Sequence, residues 1–236
     1  MKKWAERIRA KLKYYFDRSY NDKLKKSVLQ AIPFWVGSVI TGILAVFYAK
    51  AFHWAEDFLK MILGIHPLLI FILTPVCFVA SWWLIKRFSP YAKGSGIPQV
   101  MASIDLATPA NGKKVHRLLN IKVLIIKILS SMLMVMGGGI VGREGPTIQI
   151  AGSVFTTINK YLPKWWVKIS ERNMIMTGAA AGLSAAFNTP LGGIVFAIEE
   201  LAKTHIKYFK TALFTAVIIA GLTITKIGRA SCRERV

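Results

Sequence analysis

Arg143 and Glu144 have the strongest claim to chemistry in this sequence, because they interrupt residues that are apolar for a long way on either side. Ionisable groups at membrane depth are expensive, so where they occur they are functional by default. They sit in the pentapeptide Gly142-Arg143-Glu144-Gly145-Pro146. The flanking glycines permit a tight bend, and proline suits the first turn of a helix, where its missing N–H costs nothing. The pattern describes a helix that begins inside the protein with its N–H groups pointing inward. Such an end carries roughly half a positive charge and binds anions. An anion pathway with Glu144 as its titratable gate is implied. A tight structural turn with a local Arg–Glu pair is the competing reading.

About fifty residues upstream, Gly94-Ser95-Gly96-Ile97-Pro98 repeats the design before a short apolar helix. Two broken helix starts in one hydrophobic chain point to a binding site at the membrane midplane. Ser95 offers a hydroxyl donor without charge, which suits an ion that must also be released; a plain helix N-cap is the alternative. A third start, Asn188-Thr189-Pro190-Leu191-Gly192-Gly193, opens an apolar run ending in Glu199 and Glu200. Those two acids are about 100 degrees apart around a helix, so they cannot share a face. Lys127 lies well inside another apolar run and must snorkel, pair or face a wet cavity.

The elements that position these groups follow from composition. The chain is 54% hydrophobic with mean hydropathy +0.45, so a bilayer is the solvent that matters and no enzyme class is suggested. A net charge of +21 could indicate nucleic acid, but the basic residues lie mostly outside the apolar runs. Membrane topology explains that distribution better. Residues 1–28 are basic and aromatic and read as a cytoplasmic juxtamembrane helix. The first span is expected over Ala31–Phe52, followed by an external loop from His53 to Lys60. A second lies within Met61–Ile85, interrupted by Pro67 and Pro75, and Lys86-Arg87 return the chain to the cytoplasm. A helix too short to span follows over about Ile97–Ile104, then a polar loop over Thr108–Arg117 and an apolar stretch Leu118–Gly139. Trp165 and Trp166 read as an interfacial belt, Met174–Phe187 as a packed Gly/Ala-rich helix, 203–210 as a basic loop and Phe209–Thr225 as a further membrane helix. His53 and His66 have no second ligand at metal spacing, and Cys77 stands in an apolar run, so no metal site or disulfide is expected. No secretory signal pattern is present, and residues 226–236 read as a foreign tail carrying Cys232.

GSGIP, GREGPTIQIAGS and GAAAGLSAAFNTPLGGIVFAIEE, in that order, resemble the CLC family of chloride channels and proton-coupled chloride transporters. The resemblance covers roughly residues 30 to 225 and implies an all-α, multi-pass membrane protein with broken, re-entrant helices. Residues 29–225 would form the first of two inverted halves. It assigns Ser95 to the central anion site, which would comprise Gly94, Ser95, Gly96, Ile97, Arg143, Glu144 and Gly145. Glu144 would gate, and Glu200 would pass the proton onward, as in proton-coupled members. A basic residue near Lys127 is also similar to the family pattern, whereas Gln99 stands where many relatives have glutamate. The function implied is chloride–proton antiport, with a passive channel or a truncated, non-transporting fragment as alternatives. No cofactor is implied beyond the transported chloride. The partners are chloride, protons, the bilayer and a second copy in a homodimer, with no nucleic acid. The location implied is the inner or plasma membrane, N-terminus cytoplasmic.

Overall fold

Glycine or proline, rather than charge, stands at several of the breaks between the helices of this chain. The computed structural model describes residues 22–108, 112–163, 166, 169–201 and 210–233, and among these all regular structure is helical. The basic segment 1–21, Trp165 and residues 202–209, where most of the expected basic loop 203–210 falls, lie outside the described residues.

Helix α1 (Asp22–Ile65) is 44 residues long and passes straight through His53–Lys60, where an external loop was expected. No glycine or proline interrupts residues 43–63. The polar side chains form pairs one turn apart instead, His53 with Glu56 at 3.2 Å and Lys60 with Asp57 at 3.3 Å. Phe52 and Ala55 join the core from the same segment. Charges on the surface of a helix cost its backbone little, so they mark an interface with water and not an end. The apolar part, Leu29–Ile65, has 37 residues. That is roughly 55 Å of helix against a hydrocarbon layer of roughly 30 Å, so this element must tilt strongly or project.

Pro67 does break the chain. A single 3-10 turn, Pro67–Leu69, separates α1 from α2 (Ile70–Phe88), and His66 Nδ1 accepts the Leu68 N–H at 3.3 Å. Pro75, expected as a second interruption, lies inside α2. One proline near a helix start removes only one backbone bond, which the remaining turns outweigh. Phe71, Ile72, Val76, Val79 and Trp82 are exposed along α2, an outer face suited to lipid.

After a 3-10 turn, Pro90–Ala92, comes the short helix α3 (Ile97–Asp105), one residue longer than expected. The expected loop Thr108–Arg117 contains helix α4 (Gly112–Leu118), because Val115 and Leu119, four residues apart, are both fully buried and anchor one face. Asn120 then caps α5 (Ile121–Met136), accepting the Val123 N–H at 2.9 Å. The chain continues as α6 (Glu144–Tyr161), α7 (Glu171–Phe187) and α8 (Pro190–Phe196), with a π-helical turn at Ala197–Leu201. Helix α9 (Lys210–Arg233) closes the described chain, running past Thr225 into the segment read as a tail.

Small residues let these helices touch. The most extensive packing is between α6 and α7, and α1 lies across both and against α9. The Phe155 ring on α6 is clasped between two glycines: a Cβ on Gly37 of α1 or on Gly178 of α7 would stand 2.9 Å from it. Phe155, Phe34, Tyr48 and Met174 lie in the main core cluster, and Met174 to Gly182 are buried on all sides. At Gly182 a Cβ would come within 2.6 Å of the Ala151 Cβ and 3.0 Å of Thr147 O, neither of which can swing away. Gly182→Ala is therefore expected to destabilise the fold by about 1–3 kcal/mol, read as a lower melting temperature in detergent. An unchanged melting temperature would contradict this packing.

Candidate functional site

The loop before α3 is shaped by two glycines that only glycine could replace. Gly94 has φ 74 and Gly96 has φ 105, both in the left-handed region that side chains disfavour. A Cβ on Gly96 would also stand 2.8 Å from the Gln149 Cβ and 3.1 Å from Gly145 O. The Ser95 backbone between them is pressed against the start of α6: a Cβ on Gly145 would lie 2.7 Å from Ser95 O and 3.2 Å from Ser95 Cβ. Two helix beginnings, at Ile97 and Glu144, thus meet tip to tip, each with proline in its first turn.

They meet at a cavity of about 790 Å³. Gly94, Ser95, Ile97, Glu144, Gly145 and Pro146 line it from the two tips. Lys127, Ser130 and Ser131 line it from α5, and Phe78, Trp82 and Ile85 from α2. Of the residues expected at an anion site, Gly94, Ser95, Ile97, Glu144 and Gly145 are brought together here. Gly96 is buried behind the loop. Arg143 does not line the cavity; it caps α6, its carbonyl accepting the Thr147 N–H at 3.1 Å and the Thr147 hydroxyl at 2.7 Å. Among the described residues Arg143 and Glu144 make no ion pair with each other, against the reading of a closed local pair. The third helix start, at Pro190, does not line this cavity either. It is packed instead between α7 and α9, where a Cβ on Gly193 would stand 2.5 Å from Ala180 O and one on Gly221 2.7 Å from the Pro190 ring. Glu200 lies in the π-helical turn, and its side chain falls outside the described residues.

Glu144 is half-buried, and its Oε2 stands 2.8 Å from where a Cβ on Gly142 would be. The carboxylate thus folds back over the glycine that precedes its own helix. Lys127 is only 3% exposed and does not snorkel. Its ammonium donates to Ala92 O at 3.0 Å and to Gly94 O, the carbonyls leading into Ser95. Ser130 and Ser131 went unnoticed in the sequence. Their signal was their spacing, three and four residues after Lys127, which puts them on its face of α5. Ser131 accepts from Tyr48 OH at 3.0 Å, tying α1 to the cavity wall, and Ser81 Oγ donates to Ser130 O at 3.1 Å, tying α2 to it.

The sequence model of the family described as "Voltage gated chloride channel" matches residues 77–232, about two thirds of the chain. The chain belongs to this family. Three helical stretches, Leu29–Ile65, Pro67–Phe88 and Lys114–Met136, are long and apolar enough to cross a membrane, and the CLC chain is an integral membrane protein. The H(+)/Cl(-) exchange transporter ClcA of Citrobacter koseri is 32% identical over 200 residues, covering 79% of this chain and 40% of that protein. ClcA of Salmonella arizonae is 33% identical over 202 residues, with the same coverage. The CLC chain thus spans about two fifths of the length of these relatives. The crystal structure of a slow cyanobacterial Cl-/H+ antiporter is similar at TM-score 0.66 and 28% identity, over 83% of this chain and 46% of that one. A eukaryotic CLC transporter shares the fold at TM-score 0.71 and 21% identity, over 87% of this chain and 39% of that one. In this CLC chain the Gly145→Ala methyl must push the two helix tips apart. Gly145→Ala is expected to lower the melting temperature, with a cost of about 1–3 kcal/mol. Thermal unfolding followed by intrinsic fluorescence would check this, and a wild-type melting curve would show that the tips are not in contact.

Proposed function

We propose that this chain is the N-terminal half of a chloride–proton antiporter subunit, with Ser95 and Glu144 at its anion site. The observation that carries this reading is that both residues line one cavity between two abutting helix beginnings. The unpaired N–H groups there favour negative charge. Ser95 adds a neutral donor, and Lys127 a cation already engaged by two carbonyls. When Glu144 is ionised, its carboxylate is a tethered anion that occupies the place a chloride would take. Protonation removes the charge, loosens its hold on the helix tips and admits chloride. Because protonation and chloride binding oppose each other at one place, each changes the affinity for the other by the same factor. Glu200, at the end of the apolar run after Pro190, carries the proton onward to the cytoplasm.

Antiport is supported by the exchange activity named for the ClcA relatives. A passive chloride channel is the second reading, favoured by the description of the matched family. The basic character of residues 1–28 supports a cytoplasmic N-terminus in a plasma or inner membrane. A homodimer in the bilayer is the proposed assembly, with α9 on its surface.

Flux measurements in liposomes on the full-length protein test the reading. Chloride movement down its gradient should drive protons uphill, and a protonophore should accelerate net chloride flux; a channel would show neither. Glu144→Gln should keep chloride flux while proton flux falls to the liposome background, and intact coupling in that variant would remove Glu144 from the gate. Glu200→Gln should abolish proton movement and spare chloride, whereas normal antiport would exclude Glu200 as the proton carrier.

A further inference from the structure

Helix α2 ends beside the cavity, and the C-terminal end of a helix is negative. Its last carbonyls lack helical partners and together carry roughly half a negative charge. Phe78, Ser81, Trp82 and Ile85 of α2 line the cavity, and the helix stops at Phe88. The segment that follows brings Ala92, Gly94 and Ser95 into the same lining. Side-chain donors fix it: Gln149 Nε2 donates to Tyr91 O at 3.1 Å and Gln99 Nε2 to Lys93 O at 2.8 Å. Trp82, Gly94 and Ser95 are exposed, so the cavity is open here. An anion entering by this opening would meet the negative end of α2 if nothing offset it.

Lys86 and Arg87 are the basic residues of that last turn, and they differ in direction. At about 100 degrees per residue, Lys86 falls about 40 degrees from Trp82 around the helix, whereas Arg87 falls about 180 degrees from Phe78. Side chains on a helix lean toward its N-terminus, so Lys86 lies back over the residue four before it. Its ammonium stands 4.6 Å from the centre of the Trp82 ring, a cation–π contact on a residue that lines the cavity. An anchor in the lipid headgroups could carry its cation on any face of α2; this cation is held beside the face that the cavity uses. Among the described residues Lys86, Arg87 and the exposed Lys93 take part in no ion pair, so no carboxylate cancels their charge.

We propose that Lys86, held over Trp82, captures the anion at the mouth of the cavity: it reverses the sign that the end of α2 would otherwise present there and concentrates chloride next to Ser95. This rests on the reading of the cavity as an anion site. A cleft with low-dielectric walls focuses the field of such a charge and raises the local concentration of its counter-ion. Lys86 acts before the ion is bound, so it sets how readily the site fills more than how fast a filled site turns over. Lys127 has a different part, because its ammonium is buried and engaged by two carbonyls.

The experiment is chloride exchange by the full-length protein in uncharged phosphatidylcholine vesicles, measured against chloride concentration. Gluconate holds the ionic strength at about 0.1 M or about 1 M, between which the screening length falls from about 10 Å to about 3 Å. At the lower strength Lys86→Gln should raise the half-saturating chloride concentration about two- to fivefold, one charge's part of the about tenfold or greater enrichment that a cleft of one sign gives. It should lower the maximal flux by less than that. Lys86→Glu should raise half-saturation further, Lys86→Arg should stay near wild type, and at the higher strength all three should converge on wild type. Arg87→Gln removes the same charge from the same turn on the opposite face and should leave half-saturation near the wild-type value. A lysine that merely anchors α2 predicts equal effects of Lys86→Gln and Arg87→Gln, or a loss of maximal flux that ionic strength does not change. Either result would overturn the proposal, as would Lys86→Glu saturating like wild type at the lower strength. Wild-type protein that exchanges no chloride would instead overturn the anion-site reading on which it rests.

Discussion

A helix that begins inside a membrane leaves its first N–H groups with neither water nor backbone to satisfy them, and lipid cannot help. In this chain two such beginnings are made tolerable by being pressed together, Ser95 against Gly145. The rest of the architecture serves that contact. Close approach of the tips needs α6 seated deeply, which is why α7 offers it Gly178 and Gly182 in place of larger side chains. It also needs the irregular segment before α3 to be held, which falls to donors on α5 and α6. Helix α2 then lines the cavity with Phe78, Trp82 and Ile85.

Much of this was legible in the sequence because glycine and proline act through local backbone rules. The starts of α3 and α8 are written in Gly96-Ile97-Pro98 and Thr189-Pro190, and α6 starts within GREGP. The convergence of Ser95 and Glu144 on one cavity was legible too, through the paired motifs and not through any single one. The errors share a cause. The polar stretch His53–Lys60 and the basic stretch around Lys113 were read as loops because they are charged, yet charge constrains which face a helix presents, not whether it forms. Pro75 was read as a break although one missing bond in a nineteen-residue helix is a small perturbation. The resemblance placed Arg143 at the anion site, but the structure has it capping α6 outside the cavity lining, a matter of tertiary geometry that no local pattern encodes. For the same reason the carbonyl partners of Lys127, Gln99 and Gln149 could not be read: a donor's residue type is local, its acceptor is not.

The balance of charges in the cavity explains why its fixed groups are individually modest. An isolated ammonium about 4 Å from an anion, at an effective dielectric of about 20, would attract it by about 4 kcal/mol. That is close to a thousandfold in equilibrium occupancy, enough to trap an ion that has to move on. Lys127 is not isolated: two carbonyls draw its ammonium toward the loop and offset part of its field. Each helix tip adds only about 0.3–2 kcal/mol, and Ser95 adds no net charge. Among the residues lining the cavity, Glu144 is the only carboxylate. The fixed groups therefore act alike on this carboxylate and on a chloride, and one proton removes the charge of the first. In the proposed mechanism this is what makes occupancy switchable: the fixed terms are weak enough to release a chloride, and the strong competitor is the one that titrates.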